Sequence, residues 1–201
     1  MPYTAEHKQE TRTRIIKSAR RLFNRNGFAD VTIGEIMSEA GLTHGGFYKH
    51  FAAKEDLYSV AVLEFIRSDT PEPWQAKHID PAEKGQALAK MILDAYLSKD
   101  HFKEREASCP MIALPSDVAR GNGAVKKAFR QVLEMMAGAF AANMPKAERP
   151  ARERALALVA LAVGGMVLAR AIDDKALSNE IRESARKQAY ETTGWDDSED
   201  A

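Results

Sequence analysis

The sequence predicts an all-α protein, with an N-terminal three-helix unit built around a helix-turn-helix and a C-terminal helical bundle. Three observations predict this fold. Apolar residues recur at helical spacing, as in Ile15, Ile16, Ala19, Leu22 and Phe23, and no segment alternates like a strand. Capping residues precede these segments, and glycine, asparagine or proline follows them. The longest apolar run, residues 155–169 between Arg154 and Arg170, is apolar almost all round, as a helix covered on several faces must be.

The first helix is predicted over 5–26, with a charged outer surface, and Asn26-Gly27 stops it. Thr32-Ile33-Gly34-Glu35 fits a capping box that opens a short second helix carrying Ile36 inward and ending at Ala40-Gly41. Thr43 is a second N-cap, for a helix from His44 to about His50. A longer helix follows from near Lys54 to about Ser68, and Asp69–Pro81, with Pro71, Pro73 and Pro81, reads as a loop. Helical patterns resume at about 82–99, 110–119, 123–143, 148–173 and 177–191, and the acidic end, about 194–201, reads as a disordered tail. By motif, the chain divides as 1–53, the helix-turn-helix unit, and 54–201, the helical body.

Charge is balanced overall, with 29 basic and 29 acidic residues, which alone argues weakly against nucleic acid. The distribution is uneven. Residues 1–25 carry Lys8, Arg12, Arg14, Lys17, Arg20, Arg21 and Arg25 against only Glu6 and Glu10. A basic end on an acidic body suits a protein that meets an anion at one end, although a solvated helix face has the same look.

Residues 32–50 carry the functional signal: a capped helix, a tight turn through Gly41, and a second short helix, the plan whose second helix enters the major groove. Gly45 and Gly46 let the backbone approach base edges closely, while Thr43, Tyr48, Lys49 and His50 are donors for phosphates or bases. Lys54 opens the next helix, where free N–H groups also favour phosphate. Phe47 and Phe51 read as core.

Thr32-Ile33-Gly34-Glu35-Ile36, the run from Ala40 to Phe51, and Lys54-Glu55-Asp56-Leu57-Tyr58 resemble the TetR/AcrR family of bacterial repressors, as does Leu22-Phe23 with Gly27-Phe28. The resemblance covers about residues 11–58. It implies a three-helix reader, a connecting helix, and a body that dimerises and holds a small-molecule effector. Position by position, Thr43, His44, Gly45 and Gly46 resemble the start of the recognition helix, and Tyr48 and His50 the family's phosphate-binding aromatic and histidine. Lys49 falls at a variable position, Lys54 resembles the phosphate-contacting lysine, and Thr32 the capping threonine that also reaches the backbone. Met37 departs from the commoner small residue, and Ala53 from the commoner polar cap.

In the body, Ala160 with Gly164, and Gly165 with Ala169, form small-residue rows permitting close helix approach, and Leu177 and Ile181 lie on a stripe of the last helix. These six are the expected homodimer interface; the alternative is a central core helix within one chain. Phe65, Trp74, Met91, Tyr96, Met111, Phe129 and Met136 suit a pocket for an apolar or aromatic effector, and suit plain core equally. Cys109, in Ser108–Leu114, resembles a segment of TetR-like regulators in which some members sense electrophiles or oxidants through a cysteine. It precedes a predicted helix start, which favours thiolate; an inert buried cysteine is the alternative.

The functional expectation is a dimeric repressor of a palindromic operator, double-stranded DNA being its partner, released by a small apolar, aromatic or electrophilic effector. The rival is a helical interaction module without specific DNA binding. No enzyme activity, cofactor or metal site is expected: Ser184 and Lys187 match SxxK spacing only by chance, and the five histidines lack metal spacing. A lone cysteine excludes an intrachain disulfide. The start of the sequence has no apolar h-region, and the run 155–169 is shorter than the roughly 20 residues of a membrane span, so a cytoplasmic location is expected.

Overall fold

The computed structural model describes residues 4–193 and Trp195; the acidic tail lies outside the described residues except for that tryptophan. Every regular element among the described residues is helical. They fall into two compact units, one of residues up to Asp69 with Arg105–Val132, the other of Thr70–Glu104 and the chain from Leu133 on. This partition by packing differs from the motif-based division at residue 53.

In the first unit, α1 (Ala5–Asp30) is capped by Thr4 and broken at Gly27, which sits at φ +81° as the expected stop requires. It buries Ile15, Ile16, Ala19, Leu22 and Phe23. Next come α2 (Ile33–Glu39), the segment His44–Lys49 and α3 (Lys54–Arg67), which lays Leu57, Tyr58, Ala61 and Val62 inward. Phe23, Phe28 and Tyr58 form an aromatic cluster with ring centroids 4.6–5.7 Å apart. Burial pushes the Tyr58 phenol upward, and the charge of Asp117 adds to the shift.

The predicted helix at 110–119 is two short helices, because Pro115 restarts the chain: α7 (Pro110–Ala113) and α8 (Pro115–Arg120). Both are tied to α1. Asn24 donates to the carbonyls of Glu106 and Ser108 at 2.9 Å, and the Phe28 N–H donates to Asp117 at 2.9 Å.

In the second unit, the proline-rich stretch read as a loop contains α4 (Pro73–His78), since Pro73 occupies the first turn, where its missing N–H costs nothing. The segment expected as 82–99 is α5 (Gly85–Leu97) and α6 (Lys99–Lys103), separated by Ser98, which caps α6. Trp74 stacks on His101 at 3.7 Å, with Tyr96 edge-on to both. The fully buried His101 imidazole bonds the Tyr96 carbonyl through Nδ1 at 2.7 Å. Burial drives its pKa down to about 3, against the Tyr96 bond, which favours the proton; the nearby Arg170 adds to the fall.

Helix α9 (Gly123–Ala142) contributes to both units, and α10 (Ala151–Ala171) packs along α11 (Lys175–Thr193) in the second. The apolar run is thus part of a 21-residue helix, long and apolar enough by length and composition alone to cross a membrane, a test that the core helix of a soluble protein also passes. Its polar ends are used inside the unit: Arg154 donates to the carbonyls of Pro145 and Thr193, and Arg170 to those of His101 and Glu104. Arg182, 1% exposed, donates to the Leu97 carbonyl at 2.6 Å and fastens α11 to the end of α5.

Candidate nucleic-acid interface

The interface is built on a fixed entry. The Thr32 hydroxyl accepts from the Glu35 N–H at 3.2 Å, while the Glu35 carboxylate accepts the Thr32 N–H at 2.7 Å, completing the expected capping box. The backbone bond from Thr32, then its hydroxyl, holds the Glu35 carboxyl below the usual range. The turn after α2 passes through Gly41 at φ +67°, where a side chain would be strained and its Cβ would stand 3.0 Å from Arg14. Arg14 in turn donates to the Ala40 carbonyl.

The next six residues, His44–Lys49, form a 3₁₀ helix instead of the expected α-helix. Thr43 occupies the N-cap position, but its hydroxyl makes no capping hydrogen bond. Phe47 and Phe51 anchor the segment; both are buried with ring centroids 5.8 Å apart, in keeping with their reading as core. The opposite surface presents Thr43, His44, Gly45, Tyr48 and Lys49 to solvent, with Tyr48 62% exposed.

The two glycines differ in their surroundings. A Cβ on Gly45 would meet nothing within 4 Å, whereas one on Gly46 would stand 3.4 Å from the Met37 methyl. Met37, the departure noted in the sequence, is buried and packs beneath the recognition segment. Ala53, the other departure, gives α3 no side-chain cap.

His50 Nδ1 is enclosed without a hydrogen-bond partner. Burial first, then the charges of Lys8, Arg12 and Lys49, lower its pKa below the ordinary imidazole value. Lys54 does not simply project outward: its ammonium donates to the carbonyls of Phe28 and Val31, both at 2.8 Å, and lies 4.2 Å from the Phe28 ring centroid. Two of its three N–H bonds therefore latch the start of α3 to the α1–α2 junction.

Two polar residues of α1, outside the predicted set, join this surface. Lys8 and Thr11 of α1, with Met37, Leu42, Thr43, Gly46, Lys49 and His50, line a cleft of about 530 Å³. The available signal was the basic excess of residues 1–25; helical spacing puts positions 8, 11 and 12 on one face.

The body residues scatter. Phe65, Cys109, Met111 and Phe129 lie in the first unit; Trp74, Met91, Tyr96 and Met136 lie in the second. None of the eight lines either that cleft or the groove on α10 and α11 described next. Cys109 is fully buried in front of the four-residue α7. Of the six expected interface residues, Gly165 and Ala169 are buried and make contacts within the chain. A Cβ on Gly165 would lie 2.8 Å from that of Ala185, and Ala169 is buried, its carbonyl accepting from Ser178. Ala160, Gly164, Leu177 and Ile181, with Gly165, line an open groove of about 560 Å³ on α10 and α11, beside Leu168, which is 59% exposed.

Residues 15–61 match the family of bacterial regulatory proteins called the tetR family. The HTH-type transcriptional regulator AcrR of Shigella flexneri is 45% identical over 93 residues, 45% of this chain and 42% of that protein. TtgR of Pseudomonas putida, also an HTH-type transcriptional regulator, is 44% identical over 54 residues, 27% of this chain and 26% of that protein. The matches therefore span less than half the length of these relatives. Over most of the chain the fold is that of the reduced form of NemR from E. coli (TM-score 0.70, 18% identity, 90% of this chain and 96% of that one). It is equally that of a TetR transcriptional regulator from Chloroflexus aurantiacus (TM-score 0.70, 24% identity, 93% and 96%). With the capping box, the Gly41 turn and the Tyr48–His50 face in place, residues 15–61 form a helix-turn-helix unit of the tetR family of bacterial regulatory proteins.

Proposed function

We propose that the chain is a DNA-binding transcriptional regulator that holds a palindromic operator as a homodimer, represses, and lets go when a small effector binds its body. The observation that carries this reading is the recognition face: Thr43, His44, Gly45, Tyr48 and Lys49 stand exposed on a segment pinned from behind by Phe47 and Phe51. Polar donors on a rigid support are what phosphate and base-edge readout requires. The sequence-similar relatives are named as transcriptional regulators, which supports the same reading.

Dimerisation assigns the α10–α11 groove to a second copy, its contacts made by Ala160, Gly164, Leu168, Leu177 and Ile181. Leu168 and Leu177 are 59% and 44% exposed, apolar area that a partner would remove from water. A two-fold axis then sets two recognition segments on successive turns of the duplex. Control follows from binding equilibria without catalysis: an apolar or aromatic effector shifts the dimer toward a spacing that misfits DNA, by its differential affinity for the two states. The protein works where the DNA is, in the cytoplasm. The reader ends near residue 53.

A mobility-shift assay on the DNA flanking the gene, across a salt series, tests the reading. Tight, salt-sensitive binding to a short palindrome is expected. Absence of binding to that DNA and to random duplex at low salt would leave a helical interaction module.

A further inference from the structure

We propose that the cleft between α1 and the His44–Lys49 segment seats one backbone phosphate of the duplex, with Lys8 and Thr11 joining Lys49 and His50 as its ligands. The proposal rests on the DNA-binding reading and extends the phosphate-contacting set to a helix outside the helix-turn-helix.

Lys8 and Lys49 both line the cleft, one from α1 and one from the recognition segment, and none of its eight lining residues is acidic. Arg12 lies one turn beyond Lys8 on α1; its guanidinium sits 4.6 Å from the Phe51 ring centroid and adds to the positive field. Met37 and Leu42 give the cleft apolar walls, which exclude water and strengthen attraction for an anion. His50 lines the cleft beside them, and the charges of Lys8, Arg12 and Lys49 act on its imidazole. A phosphodiester brings acceptor oxygens and no proton. Lys8 and Lys49 meet them with ammonium donors, and the imidazolium of His50 adds a further positive charge.

A second consequence follows for proton binding. The charged groups acting on His50 are Lys8 and Arg12 from α1 and Lys49 from the recognition segment; α2 faces the cleft only with the uncharged Met37. All three are cations, and with burial they hold the free imidazole neutral at pH 7. A bound phosphate offsets part of that positive field, so duplex binding draws a proton from solvent onto His50. Affinity then rises as pH falls, by up to about tenfold per pH unit per chain between the free and bound pKa values.

The test is fluorescence anisotropy of the full chain on a labelled random duplex at constant ionic strength, with Lys8→Ala, Thr11→Val, His50→Gln and, as a distant charge control, Lys84→Ala. Lys8→Ala is expected to weaken binding roughly three- to tenfold and to lower the log–log salt slope by about 1 per chain. Thr11→Val should weaken binding without changing the slope, circular dichroism confirming that this buried position still folds. The wild-type affinity should rise from pH 8 to pH 6, and His50→Gln should abolish that rise. If Lys8→Ala behaves like Lys84→Ala, or the pH response survives in His50→Gln, the phosphate niche is overturned while duplex binding stands. If the wild type binds no duplex, the DNA-binding reading itself falls.

Discussion

His101 makes the stability of this protein fall in acid by an amount that can be worked out. Its imidazole is fully buried against Trp74 and its pKa is driven down to about 3, while in the unfolded chain it titrates near the ordinary value of 6.5. The folded state therefore binds fewer protons than the unfolded state throughout that interval. Stability is fully present above pH 6.5 and is lost as pH falls toward 3. With those two values, the loss at pH 5 is about 2 kcal/mol, and each further unit removes about 1.4 kcal/mol until pH 3. The perturbation is His101→Phe, which keeps a ring against Trp74 and removes the titration, at the cost of the hydrogen bond to the Tyr96 carbonyl. Urea denaturation at pH 7.5 and pH 5 supplies the assay. Between the two pH values the wild type should lose about 2 kcal/mol more than the variant, whatever their difference at pH 7.5. His50 has a lowered pKa too, but it is present in both proteins and its contribution cancels. Equal losses within about 0.5 kcal/mol would refute the burial argument for His101.

Four further outcomes are expected. Gly45→Ala leaves the thermal midpoint unchanged, because its Cβ meets nothing within 4 Å, yet weakens duplex binding measurably in a shift assay; full affinity would show that the backbone there stays clear of DNA. Lys54→Met costs about 1–3 kcal/mol in urea denaturation by orphaning the Phe28 and Val31 carbonyls, and an unchanged midpoint would rule out the latch. The fully buried Cys109 reacts with an aromatic disulfide reagent far more slowly in buffer than in urea; equal rates would restore it as a direct electrophile sensor, while Leu168→Glu halves the mass seen by light scattering if the α10–α11 groove joins two copies.

The parts of the fold written in local chemistry were legible. Thr32 and Glu35 announce a capping box because the bond is three residues long, and Gly27 and Gly41 mark breaks because the chain turns left-handed there. What sequence spacing does not carry is competition between neighbours. Thr43 looks like a cap, and only the winding of His44–Lys49 decides that its hydroxyl does not serve as one. Pro73 reads as a loop signal until its place in a first turn is known, and Pro115 divides one expected helix into two. The site shows the same limit. Lys54 reads as a free cation from its position, but its carbonyl partners lie 23 and 26 residues earlier. Gly165 reads as a small residue for close helix approach, and only the fold tells that Ala185 of its own chain is one of the groups approaching.

The winding of the recognition segment also sets its gauge. Six residues in a 3₁₀ helix advance about 12 Å, whereas α winding would give about 9 Å, and side chains three apart eclipse one another. Gly45 and Tyr48 therefore form one column and Gly46 and Lys49 the next, each pair about 6 Å apart along the axis. Stacked bases advance about 3.4 Å, so each column matches nearly two base steps. A change to α winding would shorten the segment by about 3 Å and stagger the columns, changing the spacing at which Tyr48 and Lys49 are presented without altering a single residue.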